Sequence, residues 1–250
     1  MKISADLKWY AAVSSLLIII SVVSYGMQIY IFHNEHDTYF YLLQDISFVP
    51  IQVLIVTFFI DRLLKKQHKI NLMKKVNVTI GIFFNELGNE LMKILSEMTV
   101  NRQSLDQKLN ISTAWQHKDY TAAEVWINSN SPDLRITKDD VIRLKAFFYE
   151  KKFFILDLLE NSNLSEHDTF TDSLLAVSHL SDELSLRKNI DQMPAADLNH
   201  LLVDIKRAYN SLILEWLLYM KHIRKEYPFL FSLAVRSNPF NRNSSVVIYE

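Results

Sequence analysis

Two long apolar stretches open the chain, and a strictly periodic pattern then replaces them. Trp9 to Phe32 is a run of 24 residues without a charged side chain. As a helix it would reach roughly 36 Å, enough to cross a hydrocarbon core of about 30 Å. Trp9 and Tyr10 at one end, with Tyr25 and Tyr30 toward the other, suit the two membrane interfaces. The stretch is too long for a secretory signal and Ser24-Tyr25-Gly26 is a poor cleavage site, so a retained anchor is expected. The second stretch, Tyr39 to Leu64, is interrupted by Asp45 and Pro50, yet it reads as a second span rather than a buried soluble helix.

Helical periodicity follows at once. Val76, Ile80, Phe83, Leu87, Leu91, Ile94 and Met98 recur at spacings of three and four, the mark of one apolar face. No proline interrupts residues 61–98, so the second span is expected to continue as a stalk, with a break near Gln67-His68. Gly81 and Gly88 mark a line along which another helix could approach closely. Farther on, the pattern predicts a loop over 99–112, a helix from about Thr113 to Asn128, and a turn at Ser131-Pro132. Thr137 should cap a helix running to about Glu160, with Asp139 and Asp140 opposing its dipole. Further helices are expected over 167–186 and 195–225, the latter ended by Pro228. Ser244 to Tyr249 reads as a short strand without an evident partner. The fold class is therefore all-α: a hairpin of two transmembrane helices (1–64), a stalk (65–100) and a cytoplasmic helical domain (101–250).

Charge sets the orientation. The link from His33 to Thr38 holds no Lys or Arg, whereas Arg62, Lys65, Lys66, Lys69, Lys74 and Lys75 follow the second span and Lys2 and Lys8 precede the first. Positive charge resists translocation, which predicts a multi-pass protein of the bacterial inner membrane with both termini cytoplasmic. Asn77, Asn110 and Asn243 each begin an Asn-x-Ser/Thr triplet, but on this topology they would not be glycosylated. The six bases have three readings: attraction to anionic lipid headgroups, a topology determinant, and a nucleotide or nucleic-acid ligand site. The lipid reading is favoured by their place at headgroup depth.

Composition removes several alternatives. Net charge is −1 with a pI near 6.7, so there is no global pull toward nucleic acid or acidic substrates. With no cysteine, disulfides and thiolate chemistry are excluded. The three glycines, Gly26, Gly81 and Gly88, form neither a Walker loop nor a dinucleotide fingerprint. No enzyme motif stands out, and no cofactor is expected.

Polar side chains inside the spans are the remaining candidates. Ser14, Ser21 and Gln28 align on the first helix, and Asp45 and Gln52 on the second. Asp45 lies about 9 Å into its span, where a charge is costly. Either such acids from several subunits line a cation path, or Asp45 makes a structural hydrogen bond, for example to Gln28. Pro50 marks a kink, gating or static. In the cytoplasmic part, His167, Asp168, Asp172, His179, Asp182 and Glu183 cluster. His179 and Glu183 share a helix face as metal ligands can, but a second histidine at proper spacing is missing, so a polar surface is expected. Glu215 interrupts the apolar SLILEWLLYM and should be a buried structural acid partnered by Arg143 or Arg207.

Several phrases resemble a widespread family of prokaryotic two-span membrane proteins: DISFVPIQVLIVTFFIDRLL (45–64), NVTIGIFFNELGNELM (77–92), LLENSNLSEHDTFTDSLLAVSHLSDEL (158–184) and EWLLYMKHIRKEYPFLFSLAVRSNPF (215–240). That resemblance implies the architecture and little chemistry. In layout alone, the chain is similar to anti-phage membrane effectors of the Hailong type, which implies an oligomeric channel controlled by a nucleotide-derived ligand. The expected function is thus a homo-oligomeric channel or pore-forming effector gated by the cytoplasmic domain; the alternative is a membrane-anchored scaffold or sensor that recruits a partner.

Overall fold

The computed structural model describes residues 5–164 and 167–247, and the regular elements among them are helices, as expected. The chain divides into two compact units, Met1–His68 and Lys69–Glu250. Lys2 and the end of the anticipated tail strand lie outside the described residues, and 244–247 are irregular. An isolated bridge pairs Thr99 with Leu134.

The first unit holds α1 (Ala5–Phe32) and the start of α2 (Glu35–Phe83). Both are long and apolar enough to cross a membrane. Most of their apolar side chains within the first unit are exposed: Ile18, Val22 and Phe58 are each more than 60% exposed. The link between the helices is shorter than the six residues anticipated. His33 turns the chain with a φ of 50°. Asn34 then caps α2, its Oδ1 accepting from the Asp37 N–H at 3.3 Å and its Nδ2 donating to the Asp37 carboxylate at 2.5 Å. Glu35 and Asp37 sit in the first turn, where acids favour helix formation.

The expected break at Gln67-His68 is absent, and α2 continues into the second unit as far as Phe83. The irregularity falls later, as a π turn over Phe84–Gly88 that leads into α3 (Asn89–Glu97). A π turn holds one residue more than an α turn, and here both Phe83 and Phe84 are buried. Phe83 meets Phe170 edge-on at 5.1 Å, while Phe84 stacks on Tyr219 at 5.2 Å. Gly88 accommodates this packing within its own element, since a Cβ there would come 2.6 Å from the Phe84 ring. Gly81 is the glycine that another helix approaches; a Cβ would stand 3.1 Å from the Tyr219 hydroxyl. All seven residues of the stripe from Val76 to Met98 are buried.

The remaining helices are α4 (Arg102–Leu109), α5 (His117–Ser129), α6 (Lys138–Leu159), α7 (Asp168–Leu186), α8 (Ala195–Glu226) and α9 (Pro228–Arg236). Helix α4 replaces an anticipated loop, because Leu105 and Leu109, one turn apart, both bury. Helix α5 starts later than the pattern predicts; the Gln116 N–H donates to the Asp119 carboxylate at 2.6 Å and sets its first turn. Pro228 opens α9 rather than merely ending α8, its missing N–H costing nothing at a first helical position. Helix α8 is the axis of the unit and packs against α3, α5, α7 and α9. Its Leu201, Ile205, Leu212, Trp216 and Met220 are buried, and a fully buried Leu or Met contributes about 1.5–3 kcal/mol.

Thr137 caps α6 as expected: its Oγ1 accepts from the Asp140 N–H at 3.2 Å, and the Asp140 carboxylate accepts from the Thr137 N–H at 2.8 Å. Thr137→Ala should destabilise the second unit by about 1 kcal/mol. The expected result is a lower midpoint in thermal unfolding of the detergent-solubilised chain.

Candidate functional site

Within the hairpin, Asp45 finds a different partner from the one anticipated. The Tyr25 hydroxyl donates to its Oδ2 at 2.9 Å, joining α1 to α2, and Gln28 is not the donor. The antiparallel register accounts for this: pairing Tyr25 with Asp45 places Gln28 level with Leu42, and both of those are part-buried. Ser14, Ser21, Asp45 and Gln52 are exposed on the hairpin. Ser24 and Ser47 bond back to the carbonyls of Ile20 and Leu43 at 2.8 and 2.7 Å, satisfying their hydroxyls within their own helices. Pro50 lies inside α2, with helix on both sides.

The basic residues Arg62, Lys65, Lys66, Lys69, Lys74 and Lys75 are all exposed along α2. Lys65 pairs with Asp61 at 2.8 Å. At the far end of α8, Glu226 has its pKa lowered chiefly by the Lys225 ammonium, with a smaller contribution from Lys74.

The second unit contains a polar cavity of about 580 Å³, formed by α3, α4, α8, α9 and the segment after α9. Four cationic side chains line it, Lys93, Arg102, Arg236 and Arg242, against the single carboxylate of Glu90. Arg242 and Arg102 converge on Asp106 at 3.0 and 3.7 Å. Arg102 Nε and Asn89 Oδ1 are buried without a hydrogen-bond partner, a cost that a polar ligand would relieve. One wall is pinned by Asn238, which is buried: its Nδ2 donates to the Leu109 carbonyl at 3.0 Å and its Oδ1 accepts from the Phe240 N–H at 2.9 Å. The Phe240 ring meets Trp216 edge-on at 5.3 Å. This cavity was not foreseen from sequence, although the phrase ending Asn238-Pro239-Phe240 was distinctive; its cations come from segments more than a hundred residues apart.

The histidine and acid cluster separates into two places. His167 caps α7, its Nδ1 accepting from the Phe170 N–H at 3.3 Å. It also faces Glu215 of α8, whose Oε2 is buried without a hydrogen-bond partner. The arginines expected beside Glu215 are elsewhere: Arg143 pairs with Glu97 at 2.6 Å and Arg207 with Asp204 at 3.0 Å. Burial pushes the Glu215 pKa above the usual carboxylate range, against the smaller opposing effects of Thr169 and His167. His179 is exposed, as a polar surface would have it, and with Glu183 it meets His200 and Asp204 of α8. The histidine missing from α7 is supplied across a helix interface.

Comparison with known proteins gives a consistent outcome. The family model described as "MJ1433, N-terminal helical domain" matches residues 2–64. The model described as "Uncharacterized protein MJ1433, C-terminal helical domain" matches residues 72–236. The protein "Uncharacterized protein MJ1433" of Methanocaldococcus jannaschii is 38% identical over 245 residues, covering 98% of each chain. No solved structure matches.

Because its folded-state pKa is raised, Glu215 favours the fold most fully below the ordinary glutamate pKa, and that contribution disappears as pH rises through the raised value. Glu215→Gln should therefore stabilise the chain at neutral pH, by a margin that shrinks toward pH ~4. Unfolding midpoints of both forms across that range measure the effect, and a margin independent of pH would contradict it.

Proposed function

The chain belongs to the MJ1433 family, and on that premise we propose that it is a two-span membrane protein acting as a homo-oligomeric cation channel gated by its cytoplasmic helical domain. The observation that carries this reading is Asp45, a carboxylate left exposed on an otherwise apolar hairpin and held by one tyrosine hydroxyl. A charge at such depth costs several kcal/mol unless water, a cation or another subunit covers it. Two helices cannot enclose water, so copies of the chain must supply the rest of the wall, with Ser14, Ser21, Gln28 and Gln52 as its further polar members. The helix that carries Asp45 also carries Val76, Ile80 and Phe83 of the cytoplasmic core, which supports mechanical gating. The exposed bases from Arg62 to Lys75 suit anionic headgroups on the cytoplasmic side, at about 1 kcal/mol each.

The cationic cavity favours a phosphate-bearing trigger of the nucleotide or oligonucleotide class. With the likeness of layout, that makes anti-phage defence at the inner membrane the setting we assign. A second reading, an anchored scaffold or sensor, draws support from the Tyr25–Asp45 bond, which uses the acid inside one hairpin.

In liposomes, the full-length chain should pass cations, and Asp45→Asn should reduce the flux severalfold. Absence of flux with and without nucleotides would reject the channel. Undiminished cellular function after exchange of residues 1–64 for an unrelated two-span anchor would establish the scaffold instead. Because the chain has no cysteine, Glu35→Cys supplies a single thiol, and an impermeant reagent should label it from outside the cell. Labelling only from the cytoplasmic side would overturn the topology.

A further inference from the structure

Helices α7 and α8 carry the same short pattern. One reads His179-Leu-Ser-Asp-Glu183 and the other His200-Leu-Leu-Val-Asp204. In each, an imidazole and a carboxylate stand one helical turn apart on the same face, and the two helices pack together. Asp204 is only 3% exposed. Its Oδ1 accepts from Arg207 Nη1 at 3.0 Å. Its Oδ2 is buried without a hydrogen-bond partner. That atom faces two imidazole nitrogens, His200 Nε2 at 3.4 Å and His179 Nε2 at 3.6 Å. Glu183 closes the group: its Oε2 lies 3.9 Å from His200 Nε2, and donor atoms of Glu183, His200 and Asp204 all fall within 4.8 Å of one another.

These separations are long for good hydrogen bonds. A donor atom from each of Glu183, His200 and Asp204 is near enough to share one ion after small side-chain adjustment, since bonds of about 2.0–2.1 Å place neighbouring ligand atoms about 3.3–3.4 Å apart, while His179 approaches this trio through Asp204. A buried carboxylate oxygen with no donor is also costly to leave bare. Outer partners hold the acids: Arg207 takes the second oxygen of Asp204, and Arg187 Nη1 donates to Glu183 Oε2 at 2.6 Å. Arg187 is itself fixed by a fork on Asp197 at 2.7 and 3.0 Å. Hydrogen-bonded supports of this kind orient metal ligands. The histidines are half exposed, which leaves a path from solvent.

We propose that Glu183, His200 and Asp204 bind one divalent transition-metal ion of the zinc class, clasping α7 to α8, and that the half-exposed His179, 3.6 Å from Asp204, turns onto the ion as the fourth ligand. Two imidazoles and two carboxylates select against magnesium and calcium, which prefer oxygen alone. Glu183, shared with Arg187, is the weakest of the four ligands. The site lies wholly within the second unit and is independent of any channel activity.

The test uses the untagged full-length chain in detergent, stripped with chelator and then titrated with zinc alone and with cobalt alone. One zinc per chain should survive gel filtration, cobalt should give the visible bands of tetrahedral coordination, and the unfolding midpoint should rise by several degrees in excess zinc. His179→Gln and His200→Gln change half-exposed side chains and should keep the fold by circular dichroism. Each should weaken zinc binding about tenfold or more, Glu183→Gln should weaken it less, and His117→Gln on α5 should leave it unchanged. A folded, stripped chain that retains no zinc would overturn the site, in favour of protonated imidazoles bridging Asp204. Equal zinc affinity in the His179→Gln/His200→Gln double variant would overturn it too.

Discussion

Helix α2 has to satisfy two different surroundings along one continuous backbone, and most of the protein follows from how it does so. Over its first half, apolar side chains such as Phe58 and Leu64 point outward on every side without protein to cover them. Such a surface calls for an apolar solvent or for further copies of itself. From Val76 onward one face alone is buried, and the opposite face is polar or exposed. Between the two regimes stand the exposed bases from Arg62 to Lys75. The π turn at Phe84–Gly88 then follows Phe83, and both phenylalanines enter the core, one against Phe170 and the other against Tyr219.

Helix α8 imposes the complementary constraint. One of its faces is buried from Leu201 to Ile223, so each polar group on that face must be met by a partner from a neighbour or from α8 itself. The partners meet them unevenly. Glu215 receives a threonine and a histidine in place of an arginine. Asp204 gains Arg207 on one oxygen and two loosely spaced imidazoles on the other. Tyr219 packs its ring on Phe84 and brings its hydroxyl to Gly81. Buried polar atoms left short of partners include those of Asn89 and Arg102 at the cationic cavity and those of Ser173, Asp204 and Glu215 on α7 and α8.

The hairpin follows a similar economy. Serine hydroxyls return to their own helix and Tyr25 closes on Asp45, so the cost of polarity inside an apolar surface is reduced locally. The rest of the Asp45 side chain is exposed on the hairpin.

Periodicity alone determined the all-α class, the two apolar helices, the buried stripe from Val76 to Met98, and the capped start of α6, because each depends on residues within a turn or two of one another. Short or context-dependent elements escaped it. Helix α4 rests on two leucines whose burial needs the rest of the core, and α9 begins at a proline that also reads as a stop. The partner of Asp45, the company of Glu215, the four cations of the cavity and the approach of His179 and His200 to Asp204 were decided only by tertiary structure. Each joins side chains from different helices, and no local spacing encodes which faces will meet. Even the repeated His-x-x-x-acid pattern was present in the sequence, but it acquired meaning only when α7 and α8 turned those faces toward each other.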